Sequence, residues 1–421
     1  MTQEPDWLAP GLSHIWLPYA QMKTMPRPAA IAATGGTHLL MPDGSQLVDG
    51  VGSWWTAVHG YNHPALVAAA KAQLDVMPHV MLGGIAHEQA YRLAQRLAEL
   101  TPGDLSKTFF TESGSVAVEV AMKIAVQYWR NLHGETRSKF ISFKGGYHGD
   151  TFATMSVCDP EEGMHALFAG ALAPQHIVDV PDTSDRLAAI AHLLETDQSI
   201  AGIIIEPLIQ GAGGMRMHSP EVLHALRRLC DDYGALLIFD EIFTGFGRTG
   251  AMFAANTAGV TPDIMALGKA LTGGITPLAA TIASARIYDA FHDQAGDKAL
   301  MHGPTFTGHA VGCAVANASL DLFAAEPRLD QVTALETALK DQLLPLRGQA
   351  NVADVRILGA VAAVELARDI DIDAARQWFI DAGTFIRPLG RVIYLTPAYV
   401  IAPKQVSVLT NAIRRFVAEM A

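Results

Sequence analysis

The sequence is poor in cysteine and in charged residues. Its three cysteines, Cys158, Cys230 and Cys313, stand far apart and form no C-x-x-C pair. This pattern excludes a disulfide framework and a zinc ribbon, and it favours the reducing cytosol. Only 17% of the residues are charged and 50% are hydrophobic, whereas disordered chains are rich in charge and poor in apolar residues. We therefore expect a folded protein with a large core.

Basic residues are scarce relative to acidic ones. Thirty Lys and Arg against 42 Asp and Glu give a net charge of −12, which argues against nonspecific binding to nucleic acid or to an anionic membrane. No uncharged apolar run reaches the roughly 18 residues of a membrane-spanning helix, and the first residues lack the pattern of a signal peptide. We expect a cytoplasmic protein whose substrates are small molecules.

The chain also lacks a metal-binding motif, although it contains 16 histidines. His59 and His63 have the i, i+4 spacing of a helical metal-binding pair, but glycine, asparagine and proline residues around them disfavour a helix. No H-E-x-x-H motif occurs. We expect no catalytic metal, and we interpret His148 as a wall or packing residue of a site.

An α/β architecture is predicted for the middle of the chain, because short β-rich runs alternate with longer helical patterns between about residues 105 and 285. This alternation is typical of a mostly parallel sheet flanked by helices. The predicted strands cover residues 107–110, 139–143, 202–206, 235–241, 263–268 and 277–284. The predicted helices cover residues 115–129, 184–195 and 219–233.

The two ends of the chain are predicted to form a smaller domain. Residues 1–57 are rich in proline and glycine, and from residue 326 onward a helix, strand, helix pattern surrounds the run RILGAVAAVEL at residues 356–366. We therefore expect a large domain at 58–325 and a small domain built from residues 1–57 and 326–421.

The segment FDEIFTGFGRTG, residues 239–250, places an acidic pair at the end of a predicted strand, where open α/β sheets bind their ligands. Its glycines Gly245, Gly247 and Gly250 match G-x-G-x-x-G, and Asp263 follows near the spacing of a ribose-binding acid. A dinucleotide site should open a helix directly after its strand, whereas five residues intervene here. We therefore disfavour a nicotinamide site.

A second segment, residues 111–115, follows a predicted strand and opens a predicted helix. Backbone N–H groups at a helix N-terminus can bind a phosphate, so Ser113, Gly114 and Ser115 are candidates for that role. An ordinary serine cap is the alternative interpretation. No GK[ST] follows, which excludes a P-loop.

The third segment is LGKALTGG, in which Lys269 ends a predicted strand among small residues. A lone lysine is usually a solvated surface group, but partial burial would lower its pKa and free the amine to attack a carbonyl. Asp240 lies on a predicted neighbouring strand. A phosphate cradle, a reactive amine and a buried carboxylate together match the requirements of pyridoxal 5'-phosphate.

The motifs ESGSVAVEVAMK, YHGDT, IIIEPLIQGAGGMRMH, DEIFTGFGRTG and LGKALTGG resemble those of the class III (omega) aminotransferase family of fold-type I pyridoxal-phosphate enzymes. The resemblance implies a large domain with a mostly parallel seven-stranded sheet and a small α+β domain. The segments HIWLPYAQM, SWW, MHGPTFTGH and FIRPLGRVIYLTPAYVI are similar to one branch of that family. That branch transfers an amino group from S-adenosylmethionine to 8-amino-7-oxononanoate in biotin synthesis.

The resemblance also implies cofactor-binding residues. Lys269 would bond covalently to the cofactor and later carry the reacting proton, and Asp240 would pair with the pyridine nitrogen. Tyr147 would stack on the ring, although simple packing in its glycine-rich loop is an equal alternative. The phosphate would be held by Ser113, Gly114 and Ser115, joined by Pro304 and Thr305 from the second subunit of a homodimer.

The implied substrate site contains Arg387, which would bind the substrate carboxylate; a surface salt bridge is its alternative. The other implied substrate-binding residues are Tyr19, Trp54, Trp55, Tyr147, Gly303 and Tyr394. Three positions depart from the family pattern without removing a reactive group: Glu112, Phe239 and Phe243.

Three other functions stay open. A class III aminotransferase could use another amine, such as an omega-amino acid, a diamine or lysine. A nicotinamide-dependent oxidoreductase could use the GFGRTG segment, and a noncatalytic binding module would need none of these groups.

Overall fold

The structure is a computed structural model, and it describes residues 5–134, 136–161 and 165–420. In chain order the strands are β1 Ala33–Gly35, β2 His38–Leu40, β3 Gln46–Asp49, β4 Leu105–Thr111, β5 Lys139–Phe143, β6 His176–Val178, β7 Ile200–Ile205, β8 Ile209–Gln210, β9 Arg216–Met217, β10 Leu236–Asp240, β11 Ile264–Leu267, β12 Ala279–Ser284, β13 Val352–Leu358, β14 Val361–Leu366, β15 Thr384–Phe385 and β16 Val392–Leu395. The helices are α1 Leu8–Leu12, the single turn α2 Gly52–Trp55, α3 Pro64–Val76, α4 Glu88–Leu100, α5 Gly114–His133, α6 Phe152–Ser156, α7 Ser184–Thr196, α8 Pro220–Tyr233, α9 Ala254–Ala258, α10 Ala285–Asp289, α11 Ala310–Ala325, α12 Arg328–Leu343, α13 Ile372–Asp381 and α14 Pro403–Glu419.

Residues 64–333 form one compact unit around a seven-stranded sheet with the order β4-β12-β11-β10-β7-β5-β6. β12 is antiparallel to both of its neighbours, and the other four pairings are parallel. The predicted mostly parallel α/β sheet is thus confirmed. All six predicted strands lie in it, whereas β6 was missed because its three half-buried residues make no apolar run.

The centre of this sheet is buried on both faces. Every residue of β7, β10 and β11 is buried, as expected for strands covered by helices on both sides. Helix α5 packs on one face through alanines and valines, which allow close approach. Two polar contacts fix it there: Thr281 Oγ1 donates to Ala117 O at 2.6 Å, and Trp129 Nε1 donates to Ala201 O at 2.9 Å.

The three predicted helices are present as α5, α7 and α8, and their ends follow from the local sequence. Ser113 caps the N-terminus of α5, and α5 ends at Gly134, which has a φ of 68°. Gly234 ends α8 in the same way with a φ of 66°. Glycine adopts this left-handed conformation without the steric penalty of a side chain, which explains both helix ends.

A second compact unit contains both ends of the described chain, residues 5–63 and 334–420, and the boundary between the units falls inside α12. Its four-stranded sheet has the order β1-β2-β3-β15, so β15 from the C-terminal part pairs with β3 from the N-terminal part. A second sheet has the order β13-β14-β16. The domain boundaries expected after residues 57 and 325 stay predictions.

The expectation of one strand at residues 356–366 was wrong. β13 and β14 form an antiparallel hairpin there, and Leu358 pairs with Val361. The chain reverses at Gly359, whose φ is 56°. The apolar run hides this reversal, because β14 is largely buried and only one glycine marks the turn.

The cysteines are free and buried. Burial raises the pKa of Cys158 and of Cys313 to about 12 each, so both thiols stay protonated and unreactive near neutral pH. In the part of the chain that the structure describes, no helix combines the length and the apolar character needed to cross a membrane.

Candidate active site

The candidate cofactor residues follow the ends of strands that run in one direction. β4, β5, β7, β10 and β11 share a direction, because β12 is antiparallel to both β4 and β11 and the remaining pairings are parallel. Their carboxyl ends therefore lie along one edge of the sheet, which is where open α/β sheets bind ligands. The residues at or just beyond these ends are Ser113, Tyr147, His148, Glu206, Asp240 and Lys269.

Asp240 ends β10 as a buried carboxylate that is 4% exposed. His148 Nδ1 lies 2.8 Å from Asp240 Oδ2, and the backbone N–H of Ile242 donates to Asp240 Oδ1 at 3.1 Å. Each carboxylate oxygen therefore has one partner and can accept a further hydrogen bond. Sequence reasoning placed His148 only in the site wall, whereas the structure makes it the side chain that holds Asp240.

Lys269 is half-buried directly after β11 and has a φ of 42°, in the left-handed region. Such backbone conformations are strained for a lysine and are often found at functional sites. Burial lowers the pKa of Lys269 to about 8, and the nearby charge of Arg248 acts in the same direction, whereas Asp240 and Glu206 oppose it. The lowered pKa increases the fraction of the amine that is neutral and nucleophilic near pH 7.

The N-terminus of α5 offers free backbone donors beside β4. The hydroxyl of Ser113 accepts from Val116 N at 3.3 Å, so the serine cap considered above is present. In the described part of the chain we find no acceptor for the N–H groups of Gly114 and Ser115. Ser115 Oγ accepts from Asp150 N at 3.1 Å. Gly114 and Ser115 are thus placed as a phosphate cradle requires.

Ile242 brings these elements together. A Cβ added to Gly114 would lie 2.9 Å from Ile242 Cγ2, and one added to Gly268 would lie 3.0 Å from Ile242 Cδ1. Ile242 therefore packs between the start of α5 and the residue before Lys269, two positions after Asp240. Side chains at Gly114 or Gly268 would push this contact apart, which explains why small residues occupy both positions.

Glu206 fixes the loop that carries Tyr147. Its carboxylate accepts from Tyr147 N at 3.0 Å and from Gly211 N at 2.9 Å. Burial raises the pKa of Glu206 to about 7. The Tyr147 ring is half-buried and stacks on His165 with ring centroids 6.0 Å apart. Sequence reasoning missed Glu206, although it directly follows the apolar strand β7, much as Asp240 ends the apolar strand β10.

The GFGRTG segment does not form a dinucleotide site. No helix begins at its glycines; the next helix, α9, starts only at Ala254 and has five residues. Glu241 accepts hydrogen bonds from Ala254 N and Ala255 N, both at 2.8 Å, and burial raises its pKa to about 7. Asp263 bonds Arg227 and Arg286 at 2.9 and 2.6 Å instead of facing a ligand.

The segment with Gly303, Pro304 and Thr305 is a surface loop of the large unit. Gly303 and Thr305 are exposed, and Pro304 is half-buried. The loop is tied to β4 because Thr307 Oγ1 donates to Phe110 O at 2.8 Å. Thr305 is exposed, as a residue that contacts a second subunit must be.

The predicted substrate residues of the small unit form one cluster. Tyr19 and Trp54 have ring centroids 6.4 Å apart, as do Trp55 and Tyr394. The Arg387 guanidinium carbon lies 5.0 Å from the centre of the Trp54 ring. Among residues 5–134, 136–161 and 165–420, Arg387 makes no ion pair, so the surface salt bridge considered above is absent. We call these five residues the aromatic cluster.

The two tryptophans lie on an unusual backbone turn. Ser53, Trp54 and Trp55 have φ angles of 47°, 50° and 77°. A left-handed conformation costs a residue with a side chain roughly 1–2 kcal/mol. Trp54 stays 40% exposed while Trp55 is buried, so the turn directs the adjacent rings into different surroundings. No local sequence pattern predicts this conformation.

Asp49 holds that turn. Its buried carboxylate accepts from Val51 N at 2.8 Å, from Gly52 N at 3.1 Å and from the Tyr61 hydroxyl at 2.6 Å. Tyr61 in turn lies 2.5 Å from the Ser53 hydroxyl. Burial raises the pKa of Asp49, against the hydrogen bonds that favour its charged form. The network offsets the strain of the turn.

Replacing Asp49 by Ala should reduce the free energy of unfolding by about 2–4 kcal/mol, because several buried donors lose their acceptor. Asp43→Ala is the matched control, since Asp43 also accepts from the backbone two residues on, at Ser45, but lies exposed. It should cost less than about 1 kcal/mol. Urea unfolding followed by tryptophan fluorescence measures both, and equal losses would contradict a holding role for Asp49.

Comparison with known proteins identifies the family. A family model described as "Aminotransferase class-III" matches residues 19–417. The chain belongs to the class-III aminotransferase family. The resemblance to this family is therefore confirmed, and the protein is an enzyme that uses pyridoxal 5'-phosphate. A nicotinamide-dependent oxidoreductase and a noncatalytic binding module are excluded by this membership.

Relatives of this aminotransferase include enzymes with a defined substrate. The chain is 42% identical over 406 residues to an adenosylmethionine-8-amino-7-oxononanoate aminotransferase of Corynebacterium glutamicum, covering 95% of this chain and 96% of the relative. It is 42% identical to the enzyme of the same name from Mycobacterium leprae, covering 95% and 94%. The solved structure of the Methanocaldococcus jannaschii enzyme of that name has a TM-score of 0.90 and 32% identity, covering 97% and 98%.

The residues of this aminotransferase fit its cofactor. Gly114 leaves no room for a side chain at the helix N-terminus, where two N–H groups are free for a phosphate. The Lys269 amine has a lowered pKa, and Asp240 is a buried carboxylate with remaining acceptor capacity. An anchor for a phosphate, a nucleophilic amine and a counter-ion for a cationic ring are therefore all present.

Proposed function

We propose that this aminotransferase transfers an amino group from S-adenosylmethionine to the ketone of 8-amino-7-oxononanoate and yields 7,8-diaminononanoate for biotin synthesis. Enzymes named for this reaction match the chain over nearly its full length. The structural observation that carries the proposal is the aromatic cluster. It offers a long acid apolar ring faces and an arginine that has no carboxylate partner among the residues that the structure describes. We further propose that the enzyme is a cytoplasmic homodimer.

In this proposal, separate residues around Lys269 transfer the proton, stabilise the charge of the cofactor ring and bind the phosphate. Pyridoxal phosphate, when bound, supplies an electron sink for the carbon that carries the amine. Lys269 would be the base that takes the proton from that carbon and returns it, since its pKa of about 8 suits proton transfer near neutral pH. Asp240, held by His148, would accept a hydrogen bond from the ring nitrogen and would keep that nitrogen cationic. Gly114 and Ser115 bind the phosphate.

The groups of the aromatic cluster position the substrate in this proposal. The planar guanidinium of Arg387 can bind a carboxylate through two parallel hydrogen bonds. Its stacking on Trp54 limits the directions in which it can point. Tyr394 is 2% exposed, and burial raises its pKa to about 12, so its hydroxyl stays protonated and can donate a hydrogen bond.

A change of Arg387 to Ala should lower kcat/KM for the keto acid by about 10²–10³, because a charge-assisted, bidentate contact is lost. The half-reaction with an amine donor that carries no carboxylate should keep its rate within about threefold. Arg391→Ala is the matched control, because Arg391 lies on the same segment as Arg387. Arg391 is exposed and pairs with Glu365. Equal losses for acceptor and uncharged donor would refute the role of Arg387.

The substrate pair is tested by a donor panel with the acceptor fixed. With 8-amino-7-oxononanoate present, S-adenosylmethionine should give the highest rate of 7,8-diaminononanoate formation, measured by mass spectrometry. The competing function is that of an amine transaminase, since one such enzyme from an uncultivated Pseudomonas species is 32% identical with a TM-score of 0.89. Faster turnover with lysine or a simple amine would replace the proposed donor.

A further inference from the structure

Three polar side chains on one face of α5 hold the end of a short 3-10 helix, Gly296–Lys298, and the loop that follows it. Lys123 Nζ donates to Met301 O at 2.9 Å. One turn further on, Gln127 Nε2 donates to Lys298 O at 3.1 Å and to Ala299 O at 2.9 Å. After another turn, Asn131 Nδ2 donates to Lys298 O at 3.0 Å. We call Lys123, Gln127 and Asn131 the loop anchors.

The spacing of the loop anchors suits this task. Residues four apart lie on the same helix face, so the three side chains form a row along α5. The carbonyl groups that they bind belong to residues 298–301, which make no sheet contacts. Carbonyl groups without backbone partners need other donors. The loop anchors therefore take over the role that a neighbouring strand would have.

The anchored residues lead directly into Gly303, Pro304 and Thr305. On the far side of these residues, Thr307 Oγ1 donates to Phe110 O at 2.8 Å and His87 Nε2 lies 2.7 Å from Gly308 O. The residues between the two attachments remain exposed at Gly303 and Thr305. The loop is thus fixed at both ends and open in the middle.

We propose that the loop anchors are positioning residues for the phosphate site of the partner subunit. This inference rests on the proposed homodimer in which Thr305 reaches the partner's cofactor. Helix α5 then has two tasks, because its N-terminus binds the phosphate in its own subunit while the loop anchors hold the loop for the other. A loop that is already ordered loses less conformational entropy when Thr305 meets the phosphate, which strengthens cofactor binding.

The first experiment uses the double variant Gln127→Met with Asn131→Leu, which keeps side-chain size and removes the amide donors. Its dissociation constant for pyridoxal phosphate, measured by equilibrium dialysis, should rise about tenfold. Gln95→Met is the control, because Gln95 is exposed on α4 and its side chain donates to Glu99 on the same helix. An unchanged constant in a folded, dimeric double variant overturns the inference. Lys123→Met gives the same test should the double variant not fold.

Mixed dimers then show whether the loop anchors affect the cofactor site of their own subunit or that of the partner subunit. One subunit carries Lys269→Ala, so that borohydride reduction captures the cofactor only at the other subunit's site. In the first arrangement, the double variant lies on the Lys269→Ala subunit, so the subunit that keeps Lys269 receives the altered loop from its partner. The cofactor affinity of the site that keeps Lys269 should then fall about tenfold. When it lies on the other subunit, affinity should stay near that of the wild type. Equal or reversed effects overturn the inference.

Thr305→Ala in the same two arrangements separates this inference from the shared site on which it rests. A loss of affinity confined to the partner's site supports the sharing. If Thr305→Ala acts on the partner while the loop anchor variant acts on neither site, the inference fails and the shared site stands. If Thr305→Ala acts on its own subunit, the shared site fails as well.

Discussion

Replacing Lys269 by Ala is expected to lower kcat by about 10⁵, a loss on the scale of removing the nucleophile of other covalent enzymes. The Lys269 amine, whose pKa burial lowers to about 8, can both attack a carbonyl and carry the reacting proton. The phosphate cradle and Asp240 are untouched, so the variant should still bind pyridoxal phosphate noncovalently. Single-turnover kinetics and equilibrium dialysis measure the two properties separately.

The matched control for Lys269 is Lys144→Ala. Lys144 lies in the loop that leads to Tyr147, where it is exposed and pairs with Asp179. Its removal should leave kcat within about threefold of the wild type, because a surface ion pair contributes little. If Lys269→Ala retained more than about a hundredth of the activity, a different residue would have to carry the proton.

Asp240→Asn should lower kcat by about 10³, the second largest effect. Asparagine keeps the size of the side chain and its contact with Ile242 N, but it carries no negative charge. The charge of Asp240 is what would hold a proton on the ring nitrogen of the cofactor. The loss should appear in the rate of each half-reaction, measured by stopped-flow absorbance.

Asp263→Asn is the control for a buried carboxylate in the same sheet. Asp263 precedes β11 at the opposite end from Lys269 and is bonded by Arg227 and Arg286. Its replacement should reduce the free energy of unfolding by about 2–4 kcal/mol, because Arg227 and Arg286 each lose a charged partner, while kcat should change little. A fall in stability with intact kcat for Asp240→Asn would reverse the two roles and contradict the account.

The large unit could be predicted closely because its signals are local. The strands that end at Asp240 and before Lys269 are uninterrupted apolar runs, which a sheet covered on both faces requires. The capped start of α5 is equally visible at Ser113. The residues that follow these elements then lie at one sheet edge by topology alone.

Other features depend on contacts between distant residues and leave no local signal. The bond between His148 and Asp240 joins positions 92 apart in the chain. The left-handed turn at Trp54 is stabilised by Asp49 and Tyr61, and its residues have no preference for that conformation. The hairpin at Gly359 was missed because a single glycine within an apolar run does not distinguish a turn from a buried strand.

One measurement tests the central claim most directly. The purified enzyme with its cofactor is treated with borohydride, digested, and examined by mass spectrometry for the peptide that carries the reduced cofactor. The account predicts a single labelled peptide, with the label on Lys269. A label on another lysine, or a protein that takes up pyridoxal phosphate and yields no labelled peptide, would contradict it.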